Sequence, residues 1–377
     1  MDFSYSEEQQ MLQESVQKFV QKNYAFDSRK KIMASAAGFS EEHWQLFAEL
    51  GWLTVPFSEA DGGFGGRAVD LMVMMQEFGK AMLVEPFLPT TVLCGGLISE
   101  LGSEAQKSAL LPTIMGGELQ LALAYAEANS RFNIANVTTS AKVEGSDVVI
   151  SGTKIFVLNG KGAKQLLVTA RDAGAVTDAK GISVYLIDSA AAGVSMLPYP
   201  TVDGKQAAQI TFDNVRVPVS SRLGKSGEAI AALSVVLDRA TVAVSAEAVG
   251  ALEALLQKTV EYSKTRKQFD VPIGSFQALQ HRMADMFIEC QLARSIVLRA
   301  AMKLDGNEDA REKAKAVSAA KSRIGKAIRK VGQEAIQIHG GIGMTDELDV
   351  AHLFKRVTAI DMLFGNDEFH TERFASL

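Results

Sequence analysis

Tyr262-Ser263-Lys264-Thr265-Arg266-Lys267-Gln268-Phe269, continued by Pro272-Ile273 and Phe276-Gln277, and Ala335-Ile336-Gln337-Ile338-His339-Gly340-Gly341-Ile342-Gly343 are the two stretches on which the fold turns. Both border long segments that are Ala-rich, poor in Pro and patterned at helical spacing, roughly 228–265, 276–304, 310–339 and 346–364, so the C-terminal part reads as a helix bundle. Between them they bring a guanidinium with its planar fork of donors, carboxamides, an aromatic ring and paired glycines that let backbone come close to a ligand. Taken singly they read as a solvated arginine and a helix that ends in Gly-Gly.

Upstream, Ser6-Glu7-Glu8-Gln9 has the form of a capping box, and Met11, Leu12, Val16, Phe19 and Val20 follow at helical spacing. Ser40 is placed to cap another helix that runs to Leu50 and stops at Gly51; Leu71, Met72, Met75 and Phe78 mark a third, and helices continue to about Met115. From Leu119 the character changes. Runs at 148–150, 155–157, 166–168 and 184–186 are β-prone and separated by Gly, Asn and Asp turns, and 209–213 alternates polar with apolar residues. Three domains follow from this reading: 1–118 helical, 119–225 β and 226–377 a helical bundle, an α+β architecture.

The 377 residues are 47% apolar, enough to build a sizeable core. With 39 basic against 44 acidic side chains and a formal charge of −5, no positive field exists to hold a polyanion, so nucleic acid is not an expected partner. No apolar run approaches the ~20 residues of a membrane span. The acidic N-terminus is unlike a secretory leader, and Cys94 and Cys290 stand far apart without zinc-type spacing; a cytoplasmic chain without a metal is expected. The basic residues at 313–330 are read as one solvated or subunit-facing side of a helix. Gly62-Gly63-Phe64-Gly65-Gly66 is followed by no Lys-Ser/Thr and reads as a turn, not a phosphate loop.

The order helices, strands, helices, together with the two opening stretches, resembles the acyl-CoA dehydrogenase family over essentially the whole chain. The first stretch is similar to the family signature Y-x-x-x-R-x-x-F-x-x-P-I-x-x-F-Q and the second to A-x-Q-x-x-G-G-x-G. The ending Leu363-Phe364-Gly365-Asn366-Asp367 is closest in appearance to small subunits of pimeloyl-CoA dehydrogenases. The resemblance implies an N-terminal helical domain, a β sandwich or barrel and a C-terminal four-helix bundle. It also implies FAD as cofactor, an acyl-CoA substrate, an electron-transfer flavoprotein as acceptor, and a homo- or hetero-tetramer.

By that resemblance Arg266 reaches the FAD of a neighbouring subunit, Phe269 packs near its adenine, and Gln277, Gln337, Gly340 and Gly341 complete the clamp. The reaction needs a base for the proton α to the thioester, donors for the enolate-like oxygen and a hydride acceptor. The family's late glutamate, in the word Y-E-G-T, falls here on Gly365. A minority of the family carries the carboxylate just before a helix arginine, which is Asp238 beside Arg239. The Gly365 N–H keeps the role of oxyanion donor, and the loss of a side chain there implies room for bulkier acyl groups. In the β region, Ala126–Asn133 stands where the family reads T-E-P-x-A-G-S-D, with Ser130 and Arg131 as its donors. Phe156-Val157-Leu158-Asn159 stands for W-I-T-N, and Leu158 has no hydroxyl for the flavin. Two readings stay open: a flavoenzyme that desaturates acyl-CoA with Asp238 as base, or a partner subunit lending half a site to a complete dehydrogenase subunit.

Overall fold

The computed structural model describes residues 4–377. Six helices open the chain: α1 (Glu7–Asn23), α2 (Phe26–Met33), α3 (Glu41–Glu49), α4 (Ala68–Ala81), α5 (Gly96–Leu101) and α6 (Glu104–Met115). Eight strands follow, β1 (Leu121–Ala124), β2 (Ser140–Glu144), β3 (Asp147–Leu158), β4 (Gln165–Arg171), β5 (Ile182–Asp188), β6 (Val194–Pro200), β7 (Gln206–Pro218) and β8 (Arg222–Leu223). The rest is α7 (Ile230–Thr265), the short pair β9 (Lys267–Gln268) and β10 (Val271–Pro272), then α8 (Gln277–Asp305), α9 (Ala310–His339), α10 (Asp349–Met362) and α11 (Asp367–Ser376). The order is a helical domain, a β domain and a helical domain. Ser6 and Gln9 close the capping box on α1, and Ser40 caps α3. The sequence pattern does not announce α2 or α11; they are short, and their apolar residues are too few to set a period.

By contacts the described residues form two compact units, whose division falls inside α7 between Ala240 and Thr241. The unit made of 32–67 and 84–240 is built on a sheet of order β6-β7-β3-β2-β4-β5-β8, with β1 parallel to β4. Its core is the inner face of those strands, including Ile150, Val157, Leu166, Val168, Ile210 and Phe212. The runs at 148–150 and 155–157 are one strand, not two. Irregularities between Ile150 and Gly152 and between Lys154 and Val157 absorb the extra residues, so the turn-like chemistry bends the ladder without ending it.

The other unit joins 4–31 and 68–83 to 241–377. Residues 241–250 of α7 are buried on every side, as a central helix must be, and their Val and Ala content reflects it. Glu247 on this helix accepts from Nε and Nη2 of Arg356 at 2.7 and 2.6 Å, so the buried charge has a partner with fork geometry. Where α4 meets α7 there is no room for side chains: a Cβ on Gly79 would lie 1.9 Å from the Glu247 carbonyl oxygen, and one on Gly250 would lie 1.8 Å from that of Gln76. The two glycines face each other's helix reciprocally. Gln9 Nε2 of α1 donates to buried Asp70 of α4 at 2.8 Å, which adds the first helix to the same bundle. No helix among the described residues is long and apolar enough to cross a membrane.

Gly250→Ala forces α4 off α7, and overpacking of this kind costs roughly 1–3 kcal/mol. A lower urea midpoint is expected; an unchanged midpoint would show that the helices separate without penalty.

Candidate functional site

In the bundle unit the two opening stretches are physically joined. Tyr262, in the last turn of α7, stacks on His339, the last residue of α9, with ring centroids 4.4 Å apart and planes 23° from parallel. The Tyr262 hydroxyl reaches the His339 carbonyl at 3.5 Å. His339 Nδ1 lies 2.8 Å from the Ala335 carbonyl, which fixes Nδ1–H as donor, and burial holds the imidazole below its ordinary pKa. Neutral His339 thus carries the contact of its own stretch with Tyr262 of the other.

Beyond Tyr262, β9 and β10 form a two-residue hairpin whose central residues, Phe269 and Asp270, both have positive φ, +54° and +66°. Such turns favour Asn-Gly because a bulky side chain is strained there. Phe269 sits in that strained position and is 88% exposed, meeting Phe276 edge-on. Arg266, Gln277 and Gln337 are also exposed. Gly340 has φ +66°, and a Cβ at either Gly340 or Gly341 would meet nothing within 4 Å. No intrachain contact demands glycine at these positions.

The segment after α10 is packed from beneath. The basic residues of α9 are expected on a solvated side, but Lys321 departs from this: it is fully buried, and its Nζ donates to the carbonyls of Asp361 at 2.8 Å and Gly365 at 2.6 Å. Burial pushes its pKa down to about 8 against the pull of Asp361 and Asp367. A signal for this was present. Lys321 falls on the stripe Val317, Ile324, Ile328 and Val331 that α9 turns inward. Arg329 binds Asp367 through both terminal nitrogens and reaches Asp361 at 3.4 Å. His370 Nε2 lies 3.1 Å from the Phe364 carbonyl. Gly365, at φ +113°, points its missing side chain at α11: a Cβ would lie 2.3 Å from Phe369 Cδ1 and 2.8 Å from His370 Nε2. The glycine therefore opens no extra room in that direction, contrary to the expectation from sequence, because Phe369 and His370 occupy it.

In the sheet unit the altered β words are held from behind. The Glu127 carboxylate accepts from the backbone N–H of Thr138 and Thr139, from both threonine hydroxyls, and from Lys154 Nζ at 2.7 Å. Burial alone would raise its pKa, but Lys154 and the threonines outweigh burial and hold it below the carboxylate range. The Ser130 hydroxyl is used locally, donating to the Glu127 carbonyl at 2.8 Å and accepting the Glu127 N–H at 3.0 Å. Phe156 has φ +54°, is exposed, and donates its N–H to the Tyr199 hydroxyl. Leu158 is half-buried. Asp238 and Arg239 are half-buried neighbours on α7, and Arg239 Nη2 donates to the Gly66 carbonyl. That contact ties the glycine turn to α7. The Glu127–Lys154 pair, the Tyr262–His339 stack and the group around Lys321 were not anticipated from sequence.

Three family models match in chain order: acyl-CoA dehydrogenase, N-terminal domain, over residues 6–118; middle domain over 122–215; and C-terminal domain over 229–376. The chain is 31% identical to the probable acyl-CoA dehydrogenase YngJ of Bacillus subtilis over 374 residues, 98% of this chain and 97% of that one. It is 32% identical to acyl-CoA dehydrogenase FadE12 of Mycobacterium tuberculosis over 357 residues, 93% and 90% of the two chains. The butyryl-CoA dehydrogenase structure from Megasphaera elsdenii matches with a TM-score of 0.91 at 26% identity, covering 100% of this chain and 99% of that one.

Burial, and then the charge of Lys321, push the pKa of His370 down to about 3, whereas an unfolded histidine protonates near 6.5. The unfolded chain therefore takes up a proton first as pH falls. The stability this site contributes is intact above pH 6.5 and is lost progressively below it, down to about 3. Between pH 6 and 5 the parent should lose about 1 kcal/mol more than His370→Gln. Equal pH slopes in urea unfolding would refute the assignment.

Proposed function

Because the chain belongs to the acyl-CoA dehydrogenase family, whose members are FAD-dependent oxidoreductases of acyl-CoA thioesters, we propose that it forms a trans-2-enoyl-CoA with its own Asp238 as base. The observation that carries this reading is the Tyr262–His339 stack, which fastens the Arg266–Gln277 stretch to the Gln337–Gly343 stretch. The residues fit the cofactor: an exposed guanidinium and unobstructed glycine backbone suit a pyrophosphate, and an exposed strained phenylalanine beside carboxamides suits adenine. Arg266, Phe269, Gln277, Gln337, Gly340 and Gly341 are its holders in this proposal, and Ser130, Phe156 and Leu158 are proposed as further cofactor-binding residues. FAD supplies the acceptor for the hydride leaving the β carbon.

Asp238 then removes the α proton. Its carboxylate is a methylene shorter than the family's glutamate, so it demands a closer approach of substrate, and Arg239, tied to the Gly66 carbonyl, holds that part of α7 to the glycine turn. The backbone N–H of Gly365 stabilises the enolate-like oxygen, a role that needs no side chain. An electron-transfer flavoprotein is the proposed electron acceptor. The exposed Phe287, Ile288 and Leu292 on one side of α8 support a subunit contact, consistent with a tetramer. Two buried free thiols suit a cytoplasmic setting. The boundaries 1–118, 119–225 and 226–377 are the proposed domain limits.

A second reading, a subunit that completes the site of an unlike partner, draws on three features. Gly365 carries no carboxylate, Leu158 no hydroxyl, and the Ser130 hydroxyl is engaged by its own turn.

Asp238→Asn should lower kcat by about a hundredfold or more while leaving the flavin-to-protein ratio unchanged; undiminished turnover would sink the role of Asp238. Purified alone, the chain should be yellow and bleach on addition of an acyl-CoA. A colourless protein that takes up flavin only with a second subunit would replace the first reading by the second.

A further inference from the structure

The turn between α10 and α11 is held by two buried polar groups, Lys321 and His370. Lys321 lies on an apolar stripe where a methionine would fill the space without a charge to desolvate, and burying an ammonium costs several kcal/mol unless it is well satisfied. Its Nζ grips two carbonyls, Asp361 near the end of α10 and Gly365 four residues on. Arg329 fastens Asp361 and Asp367 on the two flanks, and Asn366 caps α11 through the Phe369 N–H at 3.0 Å. His370 Nε2 reaches the Phe364 carbonyl, while its Nδ1 lies 3.4 Å from the Ser318 hydroxyl.

Peptide planarity connects these contacts to chemistry. In a trans peptide the carbonyl and the N–H point in opposite directions, so a donor on the Phe364 carbonyl turns the Gly365 N–H directly away from His370. The same hydrogen bond polarises the amide and strengthens its N–H as a donor. Lys321 fixes the next peptide through the Gly365 carbonyl, so rotation about Gly365 is blocked on both sides. Gly365 is buried, and no short, well-aligned hydrogen bond takes up its N–H among the described residues, which leaves this donor available to a stronger acceptor.

We propose that His370 and Lys321 are positioning residues that hold and polarise the Gly365 amide as the donor to the thioester oxygen. This rests on the reading of Gly365 as oxyanion donor given above. The pair touches neither substrate nor cofactor and acts wholly through the Phe364–Asn366 backbone. Neutral His370 and charged Lys321 are the required forms, and Asp361, Asp367, Arg329 and Arg373 are the charged groups set around them.

The test is the carbonyl stretch of a bound enoyl-CoA carrying carbon-13 at C1, recorded by difference infrared spectroscopy on the holoenzyme, with the tightest-binding of butenoyl-, octenoyl- and dodecenoyl-CoA. Binding to the parent should lower the carbonyl frequency. Lys321→Met and His370→Phe should lose most of that downshift, with kcat falling about a hundredfold and KM changing little. His370→Gln and Lys321→Arg, which keep a donor at each place, should recover part of it. If Lys321→Met does not fold, the two His370 variants decide alone. Variants that keep the full downshift and kcat would overturn the proposal while leaving the Gly365 reading intact. Absence of a downshift in the parent itself would overturn that reading and the proposal with it.

Discussion

The architecture depends on one steric constraint, the backbone contact of α4 with α7. Gly79 and Gly250 each stand where a single methyl would strike the other helix's carbonyl, and only their absence of side chains lets a segment from the first hundred residues join the C-terminal bundle. Once α4 is seated, α1 follows through Gln9 and Asp70, while 32–67 and 84–240 gather around the sheet. Compactness therefore does not follow chain order. The domains read along the sequence and the units read from contacts are different divisions of the same molecule.

The second theme is where backbone strain is kept. Eight described residues other than glycine have positive φ, and six of them, Arg131, Phe156, Asn159, Phe269, Asp270 and Phe364, lie in stretches that carry or replace family words. Holding an L-residue left-handed costs roughly 1–2 kcal/mol, and it persists only where surrounding structure fixes it. Three are phenylalanines, whose bulk is poorly suited to the conformation. The fixing groups are visible for two of them: Tyr199 takes the Phe156 N–H, and His370 takes the Phe364 carbonyl.

Much of this was legible in the sequence and some was not, for physical reasons. The capping box at Ser6, the long Ala-rich helices and the change from helices to strands beyond Met115 follow from local rules that act within a few residues, and the structure keeps them. The division of β3 into two runs failed because a bulge and a turn use the same residue types, and only the partner strand distinguishes them. Lys321 was read with its charged neighbours although its position on the apolar stripe set it apart. Its partners are main-chain carbonyls, which carry no signature in sequence. The Glu127–Lys154 pair and the Tyr262–His339 stack join residues 27 and 77 apart, a pairing that no local pattern encodes.

One feature of the C-terminal turn also bears on the history open to this chain. A single-nucleotide change converts the glycine codon GGA into the glutamate codon GAA, so mutation reaches a carboxylate at position 365 with ease. Selection would find little to keep. The left-handed backbone at Gly365 and the rings of Phe369 and His370 against it leave no place for the new side chain unless α11 is rebuilt in the same step. At this turn a carboxylate is one base change away in code and a rebuilt helix away in space.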